Sequence, residues 1–163
     1  MATSYEGIAL LAVAYVQEKL RGGSQTNLLD VISSGGRALW CVERARAQAR
    51  ALGWKDVREQ IEAMAAAAEA NGCGNCGEQA AVAFMFLKRW PIAPIDYVHL
   101  KDKDHDFVVI GATDSSSPYL TDWGLDAVVC DPWDGKVYPI MNIYDRMYNN
   151  GGQVQSMYRI ASL

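Results

Sequence analysis

The chain has 163 residues, half of them apolar and 21% charged, and a formal net charge of −4. This composition is typical of one folded globular domain and excludes a disordered chain. A mildly acidic chain is not expected to bind nucleic acid, because a phosphate backbone is bound by a basic surface. No apolar run reaches the roughly 18 residues of a membrane-spanning helix, and no basic region precedes the first apolar run, as a signal peptide would require. We therefore expect a domain without a membrane span, located in the cytoplasm of the producing cell.

Apolar residues recur at helical spacing through the first ninety residues. Ser4 is a suitable N-cap for the first helix. Glycine directly after Asn71 ends the third helix, as glycine commonly does at this position. Pro91 ends the fourth, because proline cannot continue the hydrogen-bond ladder. The predicted helices run from Ser4 to about Arg21, from about Gly36 to Leu52, from Trp54 to Ala70 and from Cys76 to Trp90.

After Pro94 the spacing changes to the alternation of strands, with Asp, Gly, Ser and Pro between the runs. Helices followed by strands favour an α+β domain with an antiparallel sheet. We therefore predict a single domain over residues 1–163, with a helical part over about 1–90 packed on a sheet part over about 91–163. The predicted strands cover residues 95–100, 107–110, 127–130, 136–140 and 153–160, with a short helix over 142–147 and a turn over 149–152.

The candidate nucleophile lies at the start of the fourth predicted helix. Residues 72–78 read GCGNCGE, so that Cys76 falls at or beside the first helical residue. A helix N-terminus carries about half a positive charge and free amide groups, which favour a thiolate over a thiol. The flanking glycines let a substrate carbonyl approach the backbone, where the same amides can hold an oxyanion. Glu78, in the first turn, suits the helix dipole.

A thiolate nucleophile requires a base, and the chain has two histidines, His99 and His105. His105 opens a strand and would meet the N-terminus of a packed helix at the sheet edge, whereas His99 lies within an alternating strand and is interpreted as a packing residue. Asp131 ends a later buried strand and is the candidate that orients the imidazole. Asp104 and Asp106 are rivals, but strand neighbours point to opposite faces and cannot easily reach around the ring.

Three blocks of sequence carry a resemblance: Gly-Asn-Cys-Gly-Glu at a helix start, His-Asp-Phe-Val-Val-Ile at a strand start and Asp-Pro-Trp after a later strand. Together they resemble the Cys-His-Asp blocks of papain-like and transglutaminase-like cysteine enzymes, most of all the compact domains of bacterial toxins and effectors. The resemblance spans roughly residues 71–139. It implies a papain-like fold in which Cys76 is the nucleophile, His105 the general base and Asp131 the orienting acid. Papain has an asparagine in this third position, whereas transglutaminases have an aspartate.

The same resemblance implies a reaction through a thioester, without cofactor or metal, on an amide or acyl bond of a target protein. The outcome is proteolysis, glutamine deamidation or transglutamination, depending on the bond and on whether water or an amine attacks the thioester. The sequence leaves these three open. The resemblance further implies a bacterial effector or toxin, secreted by a signal-peptide-independent system, with an immunity protein or chaperone as a second partner.

Other parts of the predicted site are less well defined. Papain has an oxyanion glutamine shortly before its nucleophile, and none stands shortly before Cys76. Asn71 and Asn75 are therefore the oxyanion candidates. Trp133 and Trp123 are candidates for lining a substrate groove.

The cysteine pair in residues 73–76 also fits other kinds of site. A Cys-x-x-Cys motif commonly binds zinc or exchanges disulfides. A non-catalytic binding module held by zinc would draw its other ligands from His99, His105 and Cys130. A thioredoxin-like site is disfavoured, because it would follow a first strand and about seventy helical residues come first here. A peptidoglycan amidase of the same superfamily is the alternative enzyme.

The four cysteines are too few and too unevenly spaced for a disulfide framework, so reduced thiols are expected. Cys41 lies on an apolar helix face and Cys130 at the end of an apolar strand, and both are interpreted as inert core thiols. Cys73 is interpreted either as a passive turn residue or as the partner of Cys76 in a reversible disulfide.

Overall fold

The computed structural model describes residues 4–145 and 152–163. Within these ranges five α-helices come first and five β-strands follow. The helices are α1 (Tyr5–Lys19), α2 (Leu28–Ser33), α3 (Arg37–Leu52), α4 (Val57–Asn71) and α5 (Cys76–Leu87), and the strands are β1 (Ile95–Leu100), β2 (His105–Ile110), β3 (Val128–Asp131), β4 (Lys136–Pro139) and β5 (Val154–Ile160). Short 3-10 helices cover Lys101–Lys103, Leu120–Asp122 and Ile140–Asp145. Residues 146–151, which carry most of the predicted turn and the end of the predicted short helix, lie outside the described residues.

The strand pairs are all antiparallel, and their order across the sheet is β4-β3-β2-β1-β5. The predicted α+β class with an antiparallel sheet is therefore confirmed. β2 is the central strand, paired with β1 on one side and β3 on the other. Because β2 and β3 run in opposite directions, the start of one lies beside the end of the other. His105 and Asp131 consequently lie at the same end of the sheet.

The sheet separates two hydrophobic cores. On one face, α1, α4 and α5 contribute to a core that includes Val108 and Cys130. On the other face, Val109 and Val129 belong to a second core. The segment that precedes β3 and the segment that follows β4 cover this core. Because side chains alternate along a strand, the neighbours in each of these strands enter opposite cores. The site described below lies where the helical layer meets the end of the two central strands.

The helix ends follow from local chemistry. Ser4 Oγ accepts a hydrogen bond of 3.1 Å from the N–H of Gly7 and so caps α1. Gly72 has a φ of 74°, the left-handed conformation that ends α4 and that glycine adopts readily. The sequence does not predict α2. This helix has only six residues, too few for a helical apolar pattern to be recognised, and none of them is buried.

Cys41 and Cys73 form a disulfide across a separation of 32 positions. The expectation of reduced thiols and the interpretation of Cys41 as an inert core thiol are therefore wrong, and the partner of Cys73 is not Cys76. The physical reason is that α3 and α4 pack side by side, which brings the first turns of α3 beside the segment that leaves α4. In the chain-entropy model, closing a loop of this length stabilises a protein by about 4 kcal/mol.

Candidate active site

Cys76 is the first residue of α5 and is partly exposed. This is the helix position that the sequence predicts for it. The N–H groups of the first turn have no acceptor within the helix, so the helix start is positively polarised. The thiol also lies 3.7 Å from the backbone carbonyl of Asp104, as a weak donor to that oxygen. Cys76 thus lies within reach of solvent at the positively polarised start of a helix.

Asn75, the N-cap of α5, is buried and held by the loop that follows α1. Its Oδ1 accepts hydrogen bonds from Ser24 Oγ at 2.9 Å and from the N–H of Gln25 at 3.0 Å. Its own N–H donates to Oε2 of Glu78 at 2.9 Å, which is one half of a capping box. The start of α5 is therefore fixed both from within the helix and by a distant loop.

Glu78 has a second partner, Arg46 of α3. The Arg46 Nε lies 2.7 Å from Oε1 of Glu78, and the glutamate side chain is only 7% exposed. This hydrogen bond is the main cause that raises the pKa of Arg46 above its usual value. The carboxylate is thus paired with a guanidinium and hydrogen-bonded to the backbone of Asn75, so that it anchors the first turn of α5.

His105, the first residue of β2, lies within contact of both other candidate residues. Its Nε2 is 2.7 Å from Oδ2 of Asp131, whose carboxylate is fully buried at the end of β3. The sulfur of Cys76 is close enough to the ring to raise the pKa of His105. The structure therefore brings together the three residues predicted as nucleophile, base and orienting acid.

The protonation of His105 follows from these contacts. Burial on its own lowers the pKa of the imidazole, because a charged ring is poorly solvated inside the protein. The hydrogen bonds to Asp131 and Cys76, together with the negative charges of both, more than offset burial and raise the pKa to about 10. The ring is therefore charged at neutral pH, and its positive charge lies beside the sulfur of Cys76.

The other free thiol behaves differently. Cys130 is fully buried in the first core, and burial raises its pKa well above the ordinary value, with a smaller contribution from the charge of Asp131. It stays a neutral thiol, in keeping with the interpretation of Cys130 as an inert core residue.

The carboxylate of Asp106, one rival for the orienting role, has other partners. Its Oδ2 accepts from the Tyr97 hydroxyl at 2.7 Å, and its Oδ1 lies 2.7 Å from Nδ1 of His99. The same hydroxyl is 3.1 Å from the backbone carbonyl of Gly77. His99 is therefore more than the packing residue that the sequence predicts, because it belongs to a polar cluster that touches the first turn of α5.

The two tryptophan candidates have different surroundings. Trp133 stands edge-on to the His105 ring at a centroid distance of 5.5 Å, and its indole N–H donates to Thr26 Oγ1 at 3.1 Å and to Ser24 Oγ at 3.3 Å. Trp123 is fully buried in the second core, with its indole N–H bonded to the carbonyl of Ser117. The prediction that Trp123 lines a groove is therefore wrong, because its ring fills the interior behind the sheet.

The oxyanion candidates are also distinguished by their contacts. Asn71 Nδ2 donates to Gln48 Oε1 at 2.7 Å and to the carbonyl of Ala67 at 2.8 Å. These bonds use both hydrogens of its amide, which leaves none for an oxyanion. Asn75 lies directly before the nucleophile, and its Oδ1 is taken by the loop at Ser24 and Gln25. Sequence reasoning missed this loop, because it lies about fifty residues before Cys76.

Comparison with protein-family models, curated proteins and solved structures gives no match to this chain. No helix among the described residues is long and apolar enough to cross a membrane. Within residues 4–145 and 152–163, no group of three or more His, Cys, Asp or Glu side chains is arranged to hold a metal ion. The geometry of the site is therefore the basis on which a function can be assigned.

Proposed function

We propose that the protein is a papain-like cysteine enzyme of the bacterial effector or toxin type, which acts on an amide or acyl bond of a target protein through a thioester. The observation that carries this proposal is the contact of His105 with both Asp131 and Cys76. A buried carboxylate, an imidazole charged at neutral pH and a thiol at a helix N-terminus are the parts that an activated cysteine nucleophile requires.

In the first half-reaction the Cys76 thiolate attacks the substrate carbonyl carbon, and a carbon–sulfur bond forms. Negative charge develops on the carbonyl oxygen, and the N–H groups of the first turn of α5 are suited to stabilise it, because they have no acceptor within the helix. The His105 imidazolium gives its proton to the leaving nitrogen, the carbon–nitrogen bond breaks and a thioester remains. Asp131 keeps the ring in one orientation by accepting the Nε2–H.

In the second half-reaction the neutral His105 takes a proton from water or from an amine as that molecule attacks the thioester, and the thiolate of Cys76 leaves. Water completes peptide hydrolysis or glutamine deamidation, whereas an amine completes a transamidation. We further propose that the enzyme reaches a target cell through a signal-peptide-independent secretion system. An immunity protein or chaperone would then cover the site in the producing cell.

The disulfide argues against the binding module held by zinc. The sulfur of Cys73 is bonded to Cys41 and cannot form a ligand pair with Cys76. A peptidoglycan amidase would use the same three side chains and differs from the proposed enzyme in its substrate.

Mass spectrometry of bacterial and mammalian lysates, incubated with and without the purified protein, tests the proposal. We expect one of three changes on defined proteins: a gain of about one mass unit at a glutamine, a cleavage or a crosslink. Cys76→Ala should abolish the change. Asp104→Asn should not, because the exposed Asp104 contacts the thiol through its backbone carbonyl. A change that persists in Cys76→Ala, or cleavage of purified peptidoglycan without any change to proteins, would contradict the proposal.

A further inference from the structure

A groove of about 260 Å³ opens beside the candidate nucleophile. Its lining includes Gly77 and Asp106, the residues that directly follow Cys76 and His105 in the chain. A substrate whose carbonyl lies at Cys76 would therefore place a neighbouring part of its chain in this groove. The other side of the site is bounded by Trp133, which stands against His105.

The charged side chains along the groove differ in their partners. Glu78 is paired with Arg46 at 2.7 Å. Asp106 is bonded to a tyrosine hydroxyl and to a histidine ring, each at 2.7 Å. Arg50, in the last turn of α3, is exposed and forms no ion pair among the described residues. Arg50 is therefore the charged side chain of this lining that has neither an ion pair nor a polar partner among the described residues, and its guanidinium is available to a carboxylate of the substrate.

The remaining lining is apolar. Trp54 and Met64 border the groove, and 37% of the surface of Trp54 is exposed. Gly77 keeps the groove open beside the nucleophile, because a Cβ there would lie 3.2 Å from Asp106 Oδ2 and 3.7 Å from Met64 Cε. An indole and a thioether form a surface on which the methylene groups of a substrate side chain can pack.

We propose that this groove is a specificity subsite that binds an acidic side chain next to the target amide of the substrate. The carboxylate pairs with the Arg50 guanidinium, and the methylene stem packs on Trp54 and Met64. This inference deepens the proposed function and depends on it. The predicted substrate is therefore a protein segment in which Glu or Asp adjoins the residue that is attacked.

Peptides that carry 6-diazo-5-oxonorleucine in place of glutamine test both the proposed nucleophile and the proposed acidic subsite. The sulfur of Cys76 bonds to the diazo carbon, that carbon takes the proton of the His105 imidazolium, and dinitrogen leaves. The residue before or after the probe is Glu, Gln or Lys in otherwise identical peptides. Intact-mass spectrometry gives the second-order labelling rate for each peptide, and Cys76→Ala is the control for site-specific labelling.

For the wild type we expect Glu at one of the two positions to label about fivefold faster than Gln and Lys about fivefold slower, the range of a partly exposed ion pair. Arg50→Gln should remove the preference and Arg50→Glu should invert it. Arg44→Glu is the matched control, because Arg44 is an exposed arginine of the same helix that does not line the groove. It should leave the preference unchanged. Trp54→Ala should slow all three peptides alike.

Different results would contradict the proposed nucleophile and the proposed subsite. If no peptide labels Cys76 of the wild type, the activated nucleophile is contradicted, and the subsite with it. If peptides label Cys76 at rates that do not depend on the neighbouring charge, or if Arg44→Glu shifts the preference as much as Arg50→Glu, the acidic subsite is wrong while the nucleophile stands. The preference should also shrink as NaCl is raised, because salt screens an exposed pair.

Discussion

Replacing Asp131 with asparagine should lower the pKa of His105 and the reactivity of Cys76 together. The change keeps the shape of the side chain and removes a buried charge that lies 2.7 Å from Nε2. A pKa of about 10, against an ordinary 6.5, means that the protein favours the imidazolium by about 5 kcal/mol. Asp131 supplies one of the two hydrogen bonds and one of the two charges that raise it. Since Asp131 and Cys76 together offset burial as well as produce this net rise, the loss of Asp131 should lower the pKa by at least about two pH units.

Two measurements report the pKa of His105 and the reactivity of Cys76. NMR of ring-labelled histidine gives the titration midpoint of His105, with His99 as the second resonance. Iodoacetamide alkylation at pH 6 reports how much thiolate Cys76 holds. In Asp131→Asn we expect a lower midpoint and slower alkylation. With a known substrate, turnover should fall by about two to four orders of magnitude, because the ring loses its preferred tautomer as well as its charge.

Asp104→Asn is the matched control. It removes the same charge one residue from His105, and asparagine tolerates the left-handed backbone of this position, whose φ is 46°. It should leave both the midpoint and the alkylation rate nearly unchanged. If Asp131→Asn leaves the midpoint of His105 in place, or if Asp104→Asn lowers it equally, Asp131 is not the residue that orients the ring.

Three further predictions concern the candidate triad and the state of the four cysteines. Cys76→Ala and His105→Ala should each abolish activity and the double variant should be no worse, because a triad acts as one unit; additive losses in the measured rates would contradict this. A thiol reagent should find two thiols in the unfolded, non-reduced protein, Cys76 and Cys130, and four once reduction releases Cys41 and Cys73. In the native protein Cys76 should react first and Cys130 last. Because the folded pKa of His105 lies above its unfolded value, its contribution to the free energy of unfolding is complete below about pH 6.5 and lost towards pH 10. Urea unfolding of the wild type and His105→Gln should therefore differ most at the acidic end and converge at the alkaline end.

The sequence predicts most of the fold because its elements carry regular patterns and clear ends. The strand-like spacing of residues 95–100 predicts β1 with the bounds that the structure shows, and Gly72 marks the end of α4. The three candidate catalytic residues can be found for the same reason, since each stands at an element boundary: Cys76 begins α5, His105 begins β2 and Asp131 ends β3.

Features that depend on tertiary packing could not be predicted in this way. The Cys41–Cys73 bond joins two helices whose packing has no local signal in the sequence. Trp123 follows a polar segment and looks accessible, but the loop folds its ring behind the sheet. The contact of Ser24 with Asn75 spans 51 positions and involves an irregular loop, where neither periodicity nor capping preferences apply.

The disulfide changes how the protein should be handled in an assay. Thiol enzymes are commonly kept in strong reductant to protect the nucleophile, but the same reagent would open the Cys41–Cys73 bond and release a second sulfhydryl three residues before Cys76. The opened segment is the one that carries the backbone bonds of Gly22 to Gly72 and of Gly74 to Gly23. A reductant dose–response should therefore rise as oxidised nucleophile is rescued and then fall as this loop loses its covalent anchor. The bond ties the integrity of the loop before Cys76 to the redox state of the compartment in which the protein works.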